Sequence, residues 1–373
     1  MFTVHLPRRT LYIVLGVLGF LLAVGLSIPI YLNISKRLAP PQPPTAPTPS
    51  PSFDVYAPYN VLILGYGGAG HDGGSLSDSI MVAHVAPRDK RAVFIFIPRD
   101  TWVEIPVRSD KSEKFKINSA WAIGLSDTLY PLKEPIYQGE EGPGNLAKEV
   151  VKQVVGMPIS YYVAIDFEGF KNAIDAVGGI EVDVPTAWDD FFYPIKGNEN
   201  ETCGYTAPEI AAFHAQYSGF ELEKQFECRY EHIHFDKGLN KLDGETALKF
   251  VRSRHSETYG GDFARGEKQQ AVLMGIIKRL ISLEVVKKID PFFDQFSKIV
   301  KTDANLQTIK DLLTIQLAPS EFTIQTVTLS EENVLTASKS RDGQFILLPK
   351  AGDGNFKAIH AFIQEQIIPR FEN

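Results

Sequence analysis

Apolar and polar positions along the chain mark out short elements of both kinds. Asn60–Leu64 (NVLIL) is a continuous apolar run of strand length, and Ser79–Val85 and Ala92–Ile97 are two more, joined by the charged turn Ala86–Arg91 as in a hairpin. Asn145–Val155 has helical spacing between Pro143 and Gly156, a start and a stop. Ile159–Ile165 predicts a strand. Asp166 then caps a helix with the apolar stripe Phe167, Phe170, Ile174 and Val177, which is read as core and ends at Gly178-Gly179. With a further strand at Ile180–Val184, this stretch predicts a βαβ unit. Beyond it, Asp243 opens a short helix (GETALKF) and a long helix begins near Asp262. Asn305–Leu317 and Asn355–Ile368 read as helical, Glu321–Thr328 and Gln344–Pro349 as extended. The alternation predicts an α/β or α+β domain of three layers.

The N-terminal pattern differs. Thr10 to Ser35 carries no charge, and Leu11–Leu32 is almost wholly apolar, long enough to span a bilayer. The run is longer than the apolar region of a cleaved signal, and no clean small-residue site follows. The expected organisation is a cytoplasmic N-terminus (1–10), a single transmembrane anchor (11–35), a proline-rich extended linker (36–52) and an extracytoplasmic domain (53–373), placed at the cell membrane. Arg8 and Arg9 before the span face Lys36 and Arg37 after it, so charge sets orientation weakly.

Thr186–Arg229 breaks the regular pattern. It is polar, turn-rich and aromatic, predicts an excursion or lid, and holds both of the chain's 2 cysteines, Cys203 and Cys228. An extracytoplasmic location would allow them to pair; two free thiols are the alternative. The net charge of −7 argues against a nucleic-acid binder, so any anion site must be local.

Such a site is predicted at Phe250–Gln270. If Lys249–His255 is extended, Arg252 and Arg254 leave the same face. Asp262 is a good N-cap for the helix that follows, and Asp262, Arg265 and Gln269 share one side of it. Three arginines near a helix N-terminus suit a phosphate or pyrophosphate, because a guanidinium can bond two oxygens at once. A solvated arginine cluster paired with acids is the bland alternative. Arg99, Asp100 and Lys116 gather at another strand end, a usual place for a site.

Two other motifs are weaker. Gly65-Tyr66-Gly67-Gly68-Ala69-Gly70 matches G-x-G-x-x-G, but a strand follows where a dinucleotide site needs a helix. His232 and His234 alternate on a strand, with His214 on a preceding helix; without a third fixed ligand the pair reads as structural rather than zinc-binding.

The segments LSDSIMVAHV, FIPRDTWVEI, KINSAW, VAIDFEGFKNAIDAVGGIEVDVP, LDGETALKFVRSRH and GDFARGEKQQ, in this order after one anchor, resemble the LytR-CpsA-Psr family over about Asn60–Leu280. The resemblance implies an α/β/α fold with a central mixed sheet and an apolar channel for a polyprenyl chain. It implies transfer of a glycan from a polyprenyl-pyrophosphate carrier to a peptidoglycan acceptor, assisted by Mg²⁺. Arg99, Arg252, Arg254 and Arg265 match its pyrophosphate-binding arginines and Asp78 a magnesium ligand. Asp100, Lys116, Asp262 and Gln269 match other positions around the head group. Asp100 and Asp262 could take a proton from an attacking hydroxyl, or only orient an arginine. The chain departs from the family at Gly67, where members commonly carry Asp, and at Lys268, where they carry Arg. Two further readings remain: a non-catalytic module binding lipid-linked glycans or acting as a wall-associated regulator, and a polyprenyl-pyrophosphate hydrolase.

Overall fold

The computed structural model describes residues 56–71, 73–282, 300–305, 307–309 and 323–368. The anchor, the linker and most of the helix expected at Asn305–Leu317 lie outside these. Among the described residues no helix is long and apolar enough to cross a membrane.

In chain order the strands are β1 (Tyr59–Tyr66), β2 (Ser77–Ala86), β3 (Arg91–Phe96), β4 (Trp102–Arg108), β5 (Lys111–Lys116), β6 (Tyr161–Asp166) and β7 (Ile180–Val184). They continue with β8 (Trp188–Pro194), β9 (Tyr230–Phe235), β10 (Gly238–Leu242), β11 (Val300–Thr302), β12 (Thr323–Thr328), β13 (Leu335–Lys339) and β14 (Phe345–Pro349). The helices are α1 (Ser119–Leu125), α2 (Gly142–Val155), α3 (Phe167–Ala176), α4 (Ala207–Gln216), α5 (Phe220–Glu223), α6 (Gly244–Arg252), α7 (Gly261–Ser282) and α8 (Lys357–Ile367).

A sheet in the order β11-β6-β1-β2-β3-β12 forms the middle layer. It is mixed: β1 runs parallel to β6 and β3 to β12, while β1–β2, β2–β3 and β6–β11 are antiparallel. Side chains alternate across a strand, so each central strand feeds two cores. Leu62, Leu64, Val82, Val93 and Ile95 pack on one face with Trp121 of α1, Leu146 and Val150 of α2, and Ile359 and Ile363 of α8. Met81, Ala83, Phe94 and Phe96 take the other face with Leu273 and Ile277 of α7. Both faces are covered by helices.

The sequence reading needs three corrections. Ile180–Val184 is a strand, but it does not return to the sheet as a βαβ unit requires. Gly178 and Gly179, at φ 76° and 81°, turn the chain away, and β7 pairs antiparallel with β10 in a separate ribbon. Nor is Thr186–Arg229 wholly an excursion. Its first part, β8, pairs with β9 and buries Trp188 and Tyr193 in a second core with Phe235, Phe250 and Val272. Beyond Pro194 the chain does leave the cores, and there Cys203 and Cys228 form a disulfide with Cα atoms 5.5 Å apart. Finally, Lys249–His255 is not a strand. Capped by Asp243, whose carboxylate accepts from Thr246 N, α6 runs on to Arg252 and stops at Ser253. Its buried Ala247, Leu248 and Phe250 face the interior, and that packing decides the helix over the β-branched look of FVR.

Candidate functional site

Between the central sheet and the helices α3 and α7 lies a cavity of about 650 Å³. Its depth is apolar. Ile63 and Val163 come from the sheet, Phe170 and Ile174 from α3, and Leu273 and Ile276 from α7. The stripe on α3 read as plain core is therefore also a wall of this space. Along α7 the same side carries Arg265 and Gln269 early and Val272, Ile276 and Leu280 later, so one helix face grades from polar mouth to apolar floor.

The mouth gathers Asp78, Arg99, Arg252, Arg254, Arg265 and Gln269. Asp78 begins β2 and forms an ion pair with Arg99, which follows β3. Ser79 Oγ donates to Gln269 Oε1 at 3.3 Å, tying the sheet to α7. Arg252, the last residue of α6, lies with its guanidinium 4.5 Å from the Phe167 ring centroid and donates to Tyr193 Oη at 3.3 Å. Arg252 and Arg254 thus reach the mouth from a helix end and a following extended segment, not from one strand face.

Asp100 and Lys116 do not line the cavity. Lys116 Nζ donates to Asp100 Oδ1 at 2.6 Å, and Asp100 Oδ2 lies 3.6 Å from Arg99 Nε. The pair stands beside Arg99, so that Asp100 meets a cation on each side. Asp262 falls in the first turn of α7 rather than before it, and its side chain lies outside the described residues.

Two buried groups hold the segment after α6: Asp190, which sequence reasoning missed, and Lys268, which it noted only as standing in place of an expected Arg. Asp190, 1% exposed, accepts through Oδ2 from Ser253 Oγ at 2.7 Å, Arg254 N at 3.2 Å and His255 N at 3.1 Å. Its Oδ1 accepts from Phe192 N at 2.9 Å. From the other side Lys268, fully buried, donates to Ser253 O and Oγ, both at 3.2 Å, with Nζ 3.7 Å from the Trp188 ring centroid. Burial pushes the Lys268 ammonium down to about 8, partly countered by the Asp190 charge. His255 stacks on Phe220 at 3.9 Å, and burial lowers its pKa as well. A sequence signal for Lys268 did exist, since Ala264, Lys268 and Val272 follow one another at four-residue steps and the two neighbours are buried.

His232 Nε2 and His234 Nδ1 both meet Asp189 Oδ1, at 2.7 and 2.8 Å, on an exposed strand. Among the described residues no group of three or more His, Cys, Asp or Glu could hold a metal ion.

The cavity is apolar in its depth and ends in clustered arginines. The model of the LytR_cpsA_psr family matches residues 33–347. The chain belongs to this family. It is 30% identical over 269 residues to the Bacillus subtilis polyisoprenyl-teichoic acid–peptidoglycan teichoic acid transferase TagV, which covers 71% of the chain but only 54% of TagV. It thus spans about half the length of that relative. The Enterococcus faecalis transferase TagU is 28% identical over 298 residues, 79% of the chain and 78% of TagU. The crystal structure of B. subtilis TagV superposes with a TM-score of 0.56 at 26% identity, covering 84% of this chain and 98% of that one. Protein gbs0355 of Streptococcus agalactiae shares the fold, with a TM-score of 0.56 at 20% identity over 83% of this chain and 88% of that one.

The loop after β1 closes on itself at Gly67, the position where the resemblance leads one to expect Asp, with Gly68 N donating to Gly74 O at 2.8 Å. A Cβ on Gly67 would fall 3.1 Å from Gly74 Cα, and one on Gly74 only 2.0 Å from Gly68 O. An aspartate at position 67 would require the backbone at Gly74 to give by a few tenths of an ångström. Asp72, the other carboxylate of the loop, lies outside the described residues. For a magnesium ion the cavity offers Asp78, whose side chain is 42% exposed and paired with Arg99, besides Asp166, whose Oδ1 already caps α3, and Asp190, whose oxygens are held by backbone and hydroxyl donors. That fits a cation that takes one or two carboxylates and completes its shell with phosphate oxygens and water.

Proposed function

We propose that this protein, held at the membrane by residues 11–35, transfers a glycan from a polyprenyl-pyrophosphate carrier to peptidoglycan. The observation that carries the proposal is the continuity of the apolar cavity with the arginine-lined mouth. A prenyl chain matches the first and a pyrophosphate the second. In the reaction a peptidoglycan hydroxyl attacks the phosphorus that bears the glycan. The bridging P–O bond breaks, polyprenyl phosphate leaves, the hydroxyl proton is released, and a phosphodiester remains between glycan and peptidoglycan.

Little covalent help is needed for such a step; its barrier falls when charge on the transferred and leaving groups is neutralised. Arg252, Arg254 and Arg265 would bind the pyrophosphate oxygens. Arg99 would join them, oriented by Asp100 and Lys116. Gln269 would add a neutral hydrogen bond, and water would be kept from the prenyl chain by the apolar walls. Magnesium on Asp78 would supply further neutralisation of the leaving phosphate.

The test is to incubate the full chain in detergent with a short polyprenyl-pyrophosphate sugar and a peptidoglycan acceptor, following polyprenyl phosphate by mass spectrometry. Glycan–peptidoglycan product, lost with Arg254→Ala, is the expected result. Release of phosphorylated sugar to water would make the protein a hydrolase. The closed Gly67 loop, which lacks the usual carboxylate, favours a second reading: a module that binds lipid-linked glycans without turnover. Tight binding with no product, acceptor present, would establish that one instead.

A further inference from the structure

A buried ammonium is costly unless something compensates it, and surface lysines rarely go under. Lys268 is nevertheless fully buried, with Ser253 and the faces of Trp188 and Tyr259 around it and the Asp190 carboxylate beyond Ser253. Ser253 sits between the two: its Oγ donates to Asp190 and accepts from Lys268. The next two backbone N–H groups also donate to Asp190. The chain between Arg252 and Arg254 is therefore gripped from both sides. Lys268 does not line the cavity, so it does not itself meet the ligand. Asp190 does line it, but its oxygens are committed to four donors.

We infer that Asp190 and Lys268 are positioning residues for pyrophosphate binding, acting through Ser253 to fix the segment from which Arg252 and Arg254 project. Their charges have a second effect. A lone carboxylate beside an anion site would repel the ligand, and Lys268 offsets it, so the clamp as a whole is close to neutral. The inference rests on the pyrophosphate reading of the mouth and adds the machinery that holds its arginines.

The experiment is a double-mutant cycle on the full chain in detergent, with farnesyl pyrophosphate as probe and affinity read by calorimetry. Lys268→Met removes the charge at similar volume but leaves Asp190 buried without its counter-charge, so circular dichroism first establishes that the variant is folded. It should weaken binding about tenfold, the size of coupling expected between residues in one network. In an Arg254→Ala background its effect should be clearly smaller, because one of the two arginines through which it acts is gone. Wild-type affinity in Lys268→Met, or the same loss repeated in full beside Arg254→Ala, overturns the inference. If Lys268→Met does not fold, Ser253→Ala, which removes the Oγ link between Asp190 and Lys268 and keeps the backbone bonds, replaces it in the same cycle. If the wild type binds no farnesyl pyrophosphate, the pyrophosphate reading fails on its own. The clamp is then judged by hydrogen exchange at the Arg254 and His255 amides, which should quicken in Lys268→Met; unchanged exchange overturns it.

Discussion

The two faces of the central sheet are built from alternate residues of the same strands, yet one is solid and the other hollow. On the first, Leu62 and Leu64 meet α1, α2 and α8, and the space is filled by large side chains such as Trp121, Leu146 and Tyr162. On the second, Ile63 and Met81 look into the cavity. The helices there, α3 and α7, are held by a separate core with β7, β8 and β9, so they need not collapse onto the sheet. Strand composition does not decide which face opens. What decides is whether the covering helices have other elements to rest on.

The largest effect expected from breaking this arrangement is at the mouth of the hollow face. Arg254→Ala should reduce transfer by roughly 2–5 kcal/mol in transition-state terms, a loss of thirtyfold or more, measured as polyprenyl phosphate released. Near-wild-type turnover would show that the arginines are a solvated cluster. Next comes the filled face, where Leu146→Ala should cost about 2–5 kcal/mol of unfolding free energy, since the close-packed surroundings cannot collapse into the gap. On the hollow face Leu273→Ala should cost only about 1 kcal/mol, because that side chain already borders empty space. Equal losses in urea unfolding would erase the contrast between the faces. Leu273→Trp sharpens it from the other direction: stability should hold within about 1 kcal/mol while prenyl binding falls, the opposite of what a bulky residue does in a filled core.

The smallest effect is a pH dependence. The Lys268 value of about 8 lies below the 10.5 of an ordinary lysine, so above pH 8 the folded protein gives up a proton that the unfolded chain still holds. The contribution of Lys268 to stability is therefore least favourable below pH 8 and improves as pH rises toward 10.5. The groups facing it, Asp190 and Tyr259, remain in both proteins when wild type is compared with Lys268→Met. The melting temperature of the wild type should gain on that of the variant across this window. A constant difference would mean that the lysine is not desolvated.

Much of the filled face was legible in the sequence. The strand at Asn60–Leu64, the β2–β3 hairpin and the helix ended by Gly156 all follow from local patterns that tertiary packing happened to keep, as does, on the hollow face, the cap at Asp166. The arginines of the mouth were legible too, though not their scaffold. Arg252 and Arg254 were placed on one face on the condition that Lys249–His255 is extended, whereas the buried stripe of α6 keeps the stretch helical as far as Arg252. The pairing of β7 with β10 depends on where the chain turns, which no local pattern states. Asp190 was passed over, and the burial of Lys268 was not foreseen, for a related reason. A charged residue looks like surface until its neighbours in space are known.

The order in which the sheet is assembled also has a consequence for how the chain matures. β1 pairs with β6, and the outer side of β3 is covered only when β12, Thr323–Thr328, arrives near the end of the chain. Until then an apolar strand presents an open edge to other molecules. Such distant pairings make folding slow and leave the nascent chain exposed to association. A truncation just before residue 323 should therefore yield aggregates rather than a smaller domain, although every mouth arginine would still be present.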